Sequence, residues 1–312
     1  METTPKICVA GVGAVGGVLA GVLGRDYASS LTLIARGARL EALRQSGLAL
    51  HSQFYGERVV IPAHVSADAA GMEKQDFIFV CVKNYSLDEI AEVLRPLADE
   101  HTVVVPVMNG VEAGDRLRQK LPESIVCDAV IYTNSAAGPD ASVIQTGAYT
   151  FVHLGSKLRD ERRLTGARRA LDLLTGVGFD ARWAEDIESE LWQKFILNCA
   201  FNIITARYRN TSGDIRRDAA LARDARALLT EAAEVAAAEG VALPADTVEQ
   251  KYRFITQTQA DTATSSMRRD VEAGRPTEKD AFTGAVIRKA SLHGIPVPVT
   301  ERYHRELEKT VS

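Results

Sequence analysis

The first half of the chain alternates short apolar runs with stretches where apolar residues recur at helical spacing. The apolar runs predict strands at Lys6–Ala10, Ser30–Ala35, Phe77–Val82, Thr102–Val107 and Ser124–Ile131. Helices are predicted between several of them, at Ala14–Leu23, Leu40–Gln45 and Leu87–Leu97. Runs such as FIFVCV and TVVVPVM have no polar face, which suits a sheet buried on both sides. Alternation of this kind implies an α/β architecture with a parallel, doubly wound sheet. Farther on, Ser142–Gln145 and Tyr149–Leu154 flank Thr146-Gly147-Ala148 and predict an antiparallel hairpin added to the sheet edge.

From Asp186 onward the pattern is helical throughout. Leu221, Ala225, Leu228, Leu229, Ala232, Val235 and Ala236 fall on one helical face, and Gly240 follows as a stop. Further helices are predicted at Asp246–Val271 and Thr277–Leu292, separated by Gly274-Arg275-Pro276. The change of pattern near Trp183–Asp186 divides the chain into domains at 1–185 and 186–312. A length of 312 residues suits two cores better than one.

Composition narrows the class. The chain is 46% hydrophobic and 25% charged, with a formal net charge of −4 and no dense basic block, so neither nucleic acid nor an anionic membrane surface is an expected partner. No apolar run reaches membrane-spanning length, and METTPKICVAGVG has no signal-peptide pattern, so a cytoplasmic protein with no leading targeting segment is expected. Cys8, Cys81, Cys127 and Cys199 lie far apart in apolar stretches and form no zinc-like cluster; buried reduced thiols and no metal are expected. The sequence leaves the oligomeric state open, a homodimer included.

Gly11-Val12-Gly13-Ala14-Val15-Gly16 fits GxGxxG between a predicted strand and a predicted helix, the context that makes this pattern a dinucleotide site. Gly11 permits the tight turn, Gly13 lets a pyrophosphate approach the backbone, and Gly16 lets helix and strand pack closely. The helix N-terminus then offers N–H groups and a favourable dipole to the anion. At the end of the second strand, where an NAD site usually carries Asp or Glu, stands Arg36, followed by Gly37 and Arg39. A guanidinium pairs with a 2′-phosphate that a carboxylate would repel, so NADPH is the expected cofactor. Lys83 and Asn109 follow the third and fourth strands at the edge where such sheets bind ligands. Both are also ordinary loop residues, and that reading stays open.

Lys194, Asn198 and Asn202 recur every four residues in ELWQKFILNCAFNIITA. At about 100° per residue they drift only about 80° in total and share one face. The rest of that helix is apolar, and a buried lysine is costly unless paired or titrated, so the stripe is expected to line a polar site. The alternative is one solvent-facing edge. Thr264-Ser265-Ser266 interrupts a helical pattern with hydroxyls suited to hydrogen bonding. Thr277 reads as an N-cap and Glu278 as the first helical residue, where its charge would also simply complement the helix dipole.

In these motifs, taken in order, the chain resembles the ketopantoate reductase (2-dehydropantoate 2-reductase, PanE/ApbA) family. The resemblance rests on GVGAVGG at 11–17, Arg36, Lys83, MNG at 108–110, ELWxKxxxNxxxN at 190–202 and SSMxxDxxxGRxTE at 265–278. It implies a Rossmann domain followed by a helical domain, with the active site between them. It further implies that Lys194 donates a proton to the ketone and that Gly11–Gly16, Arg36 and Lys83 serve NADPH. Asn109 would stand between nicotinamide and substrate. Asn198, Asn202, Ser265 and Ser266, with Lys194, would bind a 2-oxo acid. Glu278 would orient the substrate hydroxyl and the nicotinamide side, a catalytic and cofactor-facing role that its local pattern did not require. The implied reaction is NADPH-dependent reduction of 2-dehydropantoate to pantoate, a step of pantothenate and coenzyme A biosynthesis. Lys279, Ser212 and Thr300 depart from residues common in the family. These departures keep in play another 2-oxo acid on the same scaffold, and the glycine loop alone would equally serve a noncatalytic NADP(H)-sensing protein.

Overall fold

The computed structural model describes residues 4–308. They divide into two compact units. One holds the residues up to Asn109 together with Ala113–Ile187, and the other holds Gly110–Glu112 and the residues from Glu188 onward.

The first unit contains strands β1 (Ile7–Ala10), β2 (Leu31–Ile34), β3 (Leu48–Ser52), β4 (Gly56–Val60), β5 (His64–Ser66), β6 (Phe77–Val80), β7 (Val103–Pro106), β8 (Ile125–Val126), β9 (Asp128–Ala137), β10 (Ser142–Gly155) and β11 (Asp180–Trp183). Its helices are α1 (Ala14–Tyr27), α2 (Gly37–Ser46), α3 (Leu87–Leu94), α4 (Ala113–Lys120) and α5 (Glu161–Gly176). A six-stranded sheet runs β5-β2-β1-β6-β7-β8, parallel at every pairing. This is the predicted doubly wound sheet. The chain turns outward in both directions from β1, which pairs with β2 on one side and β6 on the other, so the topological switch point lies beside the loop that follows β1.

Successive residues of these strands feed opposite cores. Ile7 and Val9 pack with α1 and α5, while Cys8 and Ala10 pack with Leu87, Ile90 and Leu94 of α3 and Leu117 of α4. Helix α1 also lies against a second, five-stranded sheet formed by β11-β10-β3-β4 with β9 on β10. Its glycines set that contact. A Cβ at Gly17 would lie 2.2 Å from Val143, at Gly21 2.7 Å from Leu50, and at Gly24 2.3 Å from Val60.

The hairpin expected at 142–154 is instead one strand. Both halves of β10 pair antiparallel with β9, the first half pairs in parallel with β3 and the second with β11, and the register shifts between Thr146 and Thr150. Gln145 makes this possible: its buried amide donates to Thr146 O and Gly147 O, satisfying backbone groups inside the irregularity. The predicted strand at 124–131 is split into β8 and the start of β9, which belong to different sheets.

In the second unit α6 (Ile187–Tyr208) is followed by α7 (Ser212–Arg217), α8 (Ala219–Ala238), α9 (Thr247–Arg253), α10 (Ser266–Glu272), α11 (Ala285–His293) and α12 (Pro298–Glu308). Phe195, Ile196, Cys199, Ala200, Ile203 and Ile204 of α6 form a core with Leu228, Leu229, Ala232 and Val235 of α8, Val286 of α11 and Tyr303 of α12. The predicted face of α8 is buried from Ala225 onward, with Leu221 partly exposed at its start. Asp218 caps that helix by accepting from Ala220 N and Leu221 N, and Gly240 follows it at φ +81°.

The helix predicted at 246–271 is broken, whereas the one predicted at 277–292 is continuous but starts two residues later. α9 passes into a π-helical turn at Phe254–Thr258, and α10 begins only after Ser265. Helix resumes at Lys279, runs through a π-helical turn at Asp280–Gly284 and enters α11. Among the described residues no helix is long and apolar enough to cross a membrane.

Candidate functional site

The first unit carries the glycine loop between β1 and α1. Gly11 sits at φ +92°, with its N–H on Ile34 O at 2.9 Å, and a Cβ there would press on Val82 Cγ1 at 2.7 Å. A Cβ at Gly16 would lie 2.0 Å from Gly11 O, so these two glycines are demanded by packing. Gly13 is different: a Cβ there would meet nothing within 4 Å. Gly13 is the N-cap of a 14-residue helix with no acidic residue in its first turn. Val12 is buried, while Ala14 and Val15 are partly exposed. The loop therefore presents open backbone and an unneutralised helix dipole, which fits the pyrophosphate of a dinucleotide.

The neighbouring cations divide the work. Arg39 Nε donates to Val12 O at 2.9 Å, and Arg39 Nη1 reaches Gly138 O and Ser142 O, both at 3.1 Å. This half-buried guanidinium, its pKa lowered by burial, braces the loop. Arg36, at the N-cap of α2, remains exposed and pairs with Glu89 of α3. Lys83 and Asn109 stand beyond β6 and β7, the carboxyl ends of strands on the far side of the switch point. Asn84 joins their loops by donating to Asn109 O at 2.9 Å. Asn84 gave no signal in the sequence, and Arg39, noted there only as a neighbour of Arg36, gave none of its bracing role, because each acts on backbone that only the fold brings near. Cys81 is partly exposed rather than buried, and Cys8 is fully buried, its thiol pushed up to about 12.

The second unit carries the polar stripe of α6. Lys194 and Asn198 are partly exposed and Asn202 is 5% exposed. Loss of hydration by burial holds Lys194 down at about 8, against the pull of the nearby Glu278 carboxylate. Glu278 is 5% exposed and precedes the helical turn that starts at Lys279, so it is not the first helical residue and Thr277 is not the cap. One turn beyond Asn202, Thr205 Oγ1 shares a 2.7 Å hydrogen bond with Ser265 Oγ. Ser265 is the N-cap of α10, accepting from Arg268 N at 3.1 Å, whereas Ser266 follows it with its side chain partly exposed. Thr205 was not singled out in the sequence; its i+3 offset from Asn202 was the available signal.

The residues that depart from the resemblance have structural partners. Ser212 Oγ donates to Ile255 O at 2.5 Å, Thr300 Oγ1 to Glu231 Oε2 at 2.6 Å, and Lys279 Nζ to Glu308 Oε1 at 3.0 Å.

Comparison with known proteins fits both halves of this description. Residues 7–157 match the family described as ketopantoate reductase PanE/ApbA, and residues 186–310 match its C-terminal counterpart. The chain belongs to the ketopantoate reductase PanE/ApbA family.

Similar proteins include an uncharacterized oxidoreductase, YkpB, of Bacillus subtilis, 30% identical over 97% of this chain and 98% of that one. A 2-dehydropantoate 2-reductase of Mesorhizobium japonicum is 29% identical, covering 95% and 94%. Among solved structures, a PanE/ApbA family ketopantoate reductase from Ralstonia eutropha superposes with a TM-score of 0.85 at 26% identity, covering 98% of each chain. The family is one of oxidoreductases, and the architecture, a Rossmann-like sheet followed by helices, is the family's own.

Proposed function

We propose that the protein reduces 2-dehydropantoate to pantoate with NADPH, serving pantothenate and coenzyme A biosynthesis in the cytoplasm. In this reading residues 1–185 bind the cofactor and residues 186–312 bind the substrate and supply the proton. The observation that carries it is Lys194: an amine in a polar stripe of an apolar helix, held near neutrality at about 8 beside a carboxylate. A group poised there can give up a proton at physiological pH, which an ordinary surface lysine does poorly.

The cofactor supplies the hydride. Gly11–Gly16 and the α1 N-terminus receive its pyrophosphate, with Val12, Ala14 and Val15 lining the turn. Arg36 pairs with the 2′-phosphate, Lys83 supports the phosphates, and Asn109 borders nicotinamide and substrate. Asn198 and Asn202 hydrogen-bond the 2-oxo acid, being neutral amides with no proton to exchange near neutral pH. Ser266 adds a hydroxyl, and Ser265 acts through the α10 cap it forms. As negative charge develops on the ketone oxygen, the Lys194 ammonium stabilises it and transfers the proton. Glu278 holds the lysine and the new hydroxyl in register. A sensor would need no such proton donor. Ser212, Lys279 and Thr300 each have a structural partner, so these departures leave the polar stripe itself unaltered.

Turnover of the purified protein tests this reading. NADPH oxidation should be fastest with 2-dehydropantoate among a panel of 2-oxo acids, and faster than NADH oxidation. Arg36→Asp should weaken NADPH use. Equal use of both cofactors by the wild type would remove the argument from Arg36, and a better substrate elsewhere in the panel would replace the pathway assignment.

A further inference from the structure

The loops after β1, β2 and β6 emerge at one edge of the parallel sheet, and an ion pair links the outer two. Arg36, at the end of β2, joins its guanidinium to the Glu89 carboxylate in the first turn of α3. β2 and β6 lie on either side of β1, so the pair connects the two sides of the glycine loop.

Glu89 is the acid left for this contact. Its neighbour Asp88 is bound by Arg116 Nη2 at 3.0 Å, and Glu92 by Arg95 Nη2 at 2.9 Å. Of the two arginines in α2, Arg39 is committed to Val12 O, Gly138 O and Ser142 O, and Arg44 to Val65 O and Glu41. The fold thus places one exposed cation and one exposed acid together, 46% and 64% exposed, where the cofactor's ribose end is read.

We propose that Glu89 is a specificity-determining residue: its carboxylate competes with the 2′-phosphate of NADPH for Arg36 and so moderates the preference for NADPH over NADH. This rests on the assignment of Arg36 to the 2′-phosphate. A dianionic phosphate arriving at Arg36 must displace Glu89 or share the guanidinium with it, and either way meets a like charge. NADH has a hydroxyl at that place. It leaves the ion pair intact, and a carboxylate is a ready acceptor for a ribose hydroxyl. The site therefore contains both elements of cofactor choice, the cation from β2 and the acid from α3.

Dissociation constants of NADPH and NADH for the wild type, Glu89→Gln, Arg36→Gln and the double variant test this, read by quenching of the protein's fluorescence. Since exposed pairs are weak, Glu89→Gln should tighten NADPH by about 3- to 5-fold and change NADH by less than about twofold. The gain should shrink at roughly 0.5 M salt and vanish in the Arg36→Gln background. Unchanged NADPH affinity in Glu89→Gln, equal tightening of both cofactors, or a gain that survives loss of Arg36 would each overturn the proposal. Arg36→Gln alone tests the underlying assignment. If it weakens NADPH while Glu89→Gln does nothing, the assignment stands and the competition is wrong. If it changes neither cofactor, both fall.

Discussion

At the scale of single residues, Ser265 and Ser266 divide by geometry what the sequence presented as a pair. Ser265 caps α10 and bonds Thr205, so Ser265→Ala should lower stability by about 1 kcal/mol, the usual worth of a cap. Ser266→Ala should leave the melting temperature unchanged and raise KM for the 2-oxo acid. Thermal melts beside substrate titrations separate the two, and a stability loss confined to Ser266→Ala would reverse these roles. Lys194 makes a pH prediction. Its ammonium is the working form and its pKa is lowered to about 8, so kcat/KM should be flat below that pH and fall tenfold per unit above it. The limb in kcat should lie higher, because an anionic substrate favours the ammonium. Lys194, Asn198 and Asn202 were legible because a spacing of four puts them on one helical face whatever the tertiary context. Arg39 and Glu89 were not, because their partners are 27 and 53 residues away in sequence.

At the scale of elements, the glycine loop separates fold from function within one motif. Gly16→Ala puts a methyl group 2.0 Å from a backbone oxygen and should destabilise by roughly 1–3 kcal/mol or more. Gly13→Ala meets no neighbour within 4 Å, so the melting temperature should hold while cofactor affinity falls at least about tenfold. Alanine at Gly13 binding NADPH normally would mean that the loop does not receive the cofactor backbone. The strands β1, β2, β6 and β7 were legible because both their faces are buried and, Thr32 apart, their residues are apolar. β4 and β11 were missed because they are largely exposed and lack that signature. The bend inside β10 passed for a turn because Gly147, at φ +89°, marks irregular backbone of either kind. Of the break that follows α9, only the hydroxyl run Thr264-Ser265-Ser266 was legible, and the π turns at Phe254–Thr258 and Asp280–Gly284 left no signal in the apolar pattern.

At the scale of the whole molecule, the residues proposed for the cofactor and those proposed for the proton donor belong to units with separate cores. NADPH should therefore stabilise the chain by linkage, about 2.7 kcal/mol at a hundredfold excess over its dissociation constant. Calorimetry should show this shift shrinking in Arg36→Asp and persisting in Lys194→Ala. Loss of the shift in Lys194→Ala would tie the lysine to cofactor binding. The most direct test of the account is the turnover number of Lys194→Ala with 2-dehydropantoate and NADPH, both saturating. General acid catalysis by this residue predicts a fall of about 10²–10⁴-fold while NADPH still binds. A turnover number near that of the wild type would contradict it, and would return the stripe on α6 to a solvated edge of the helix.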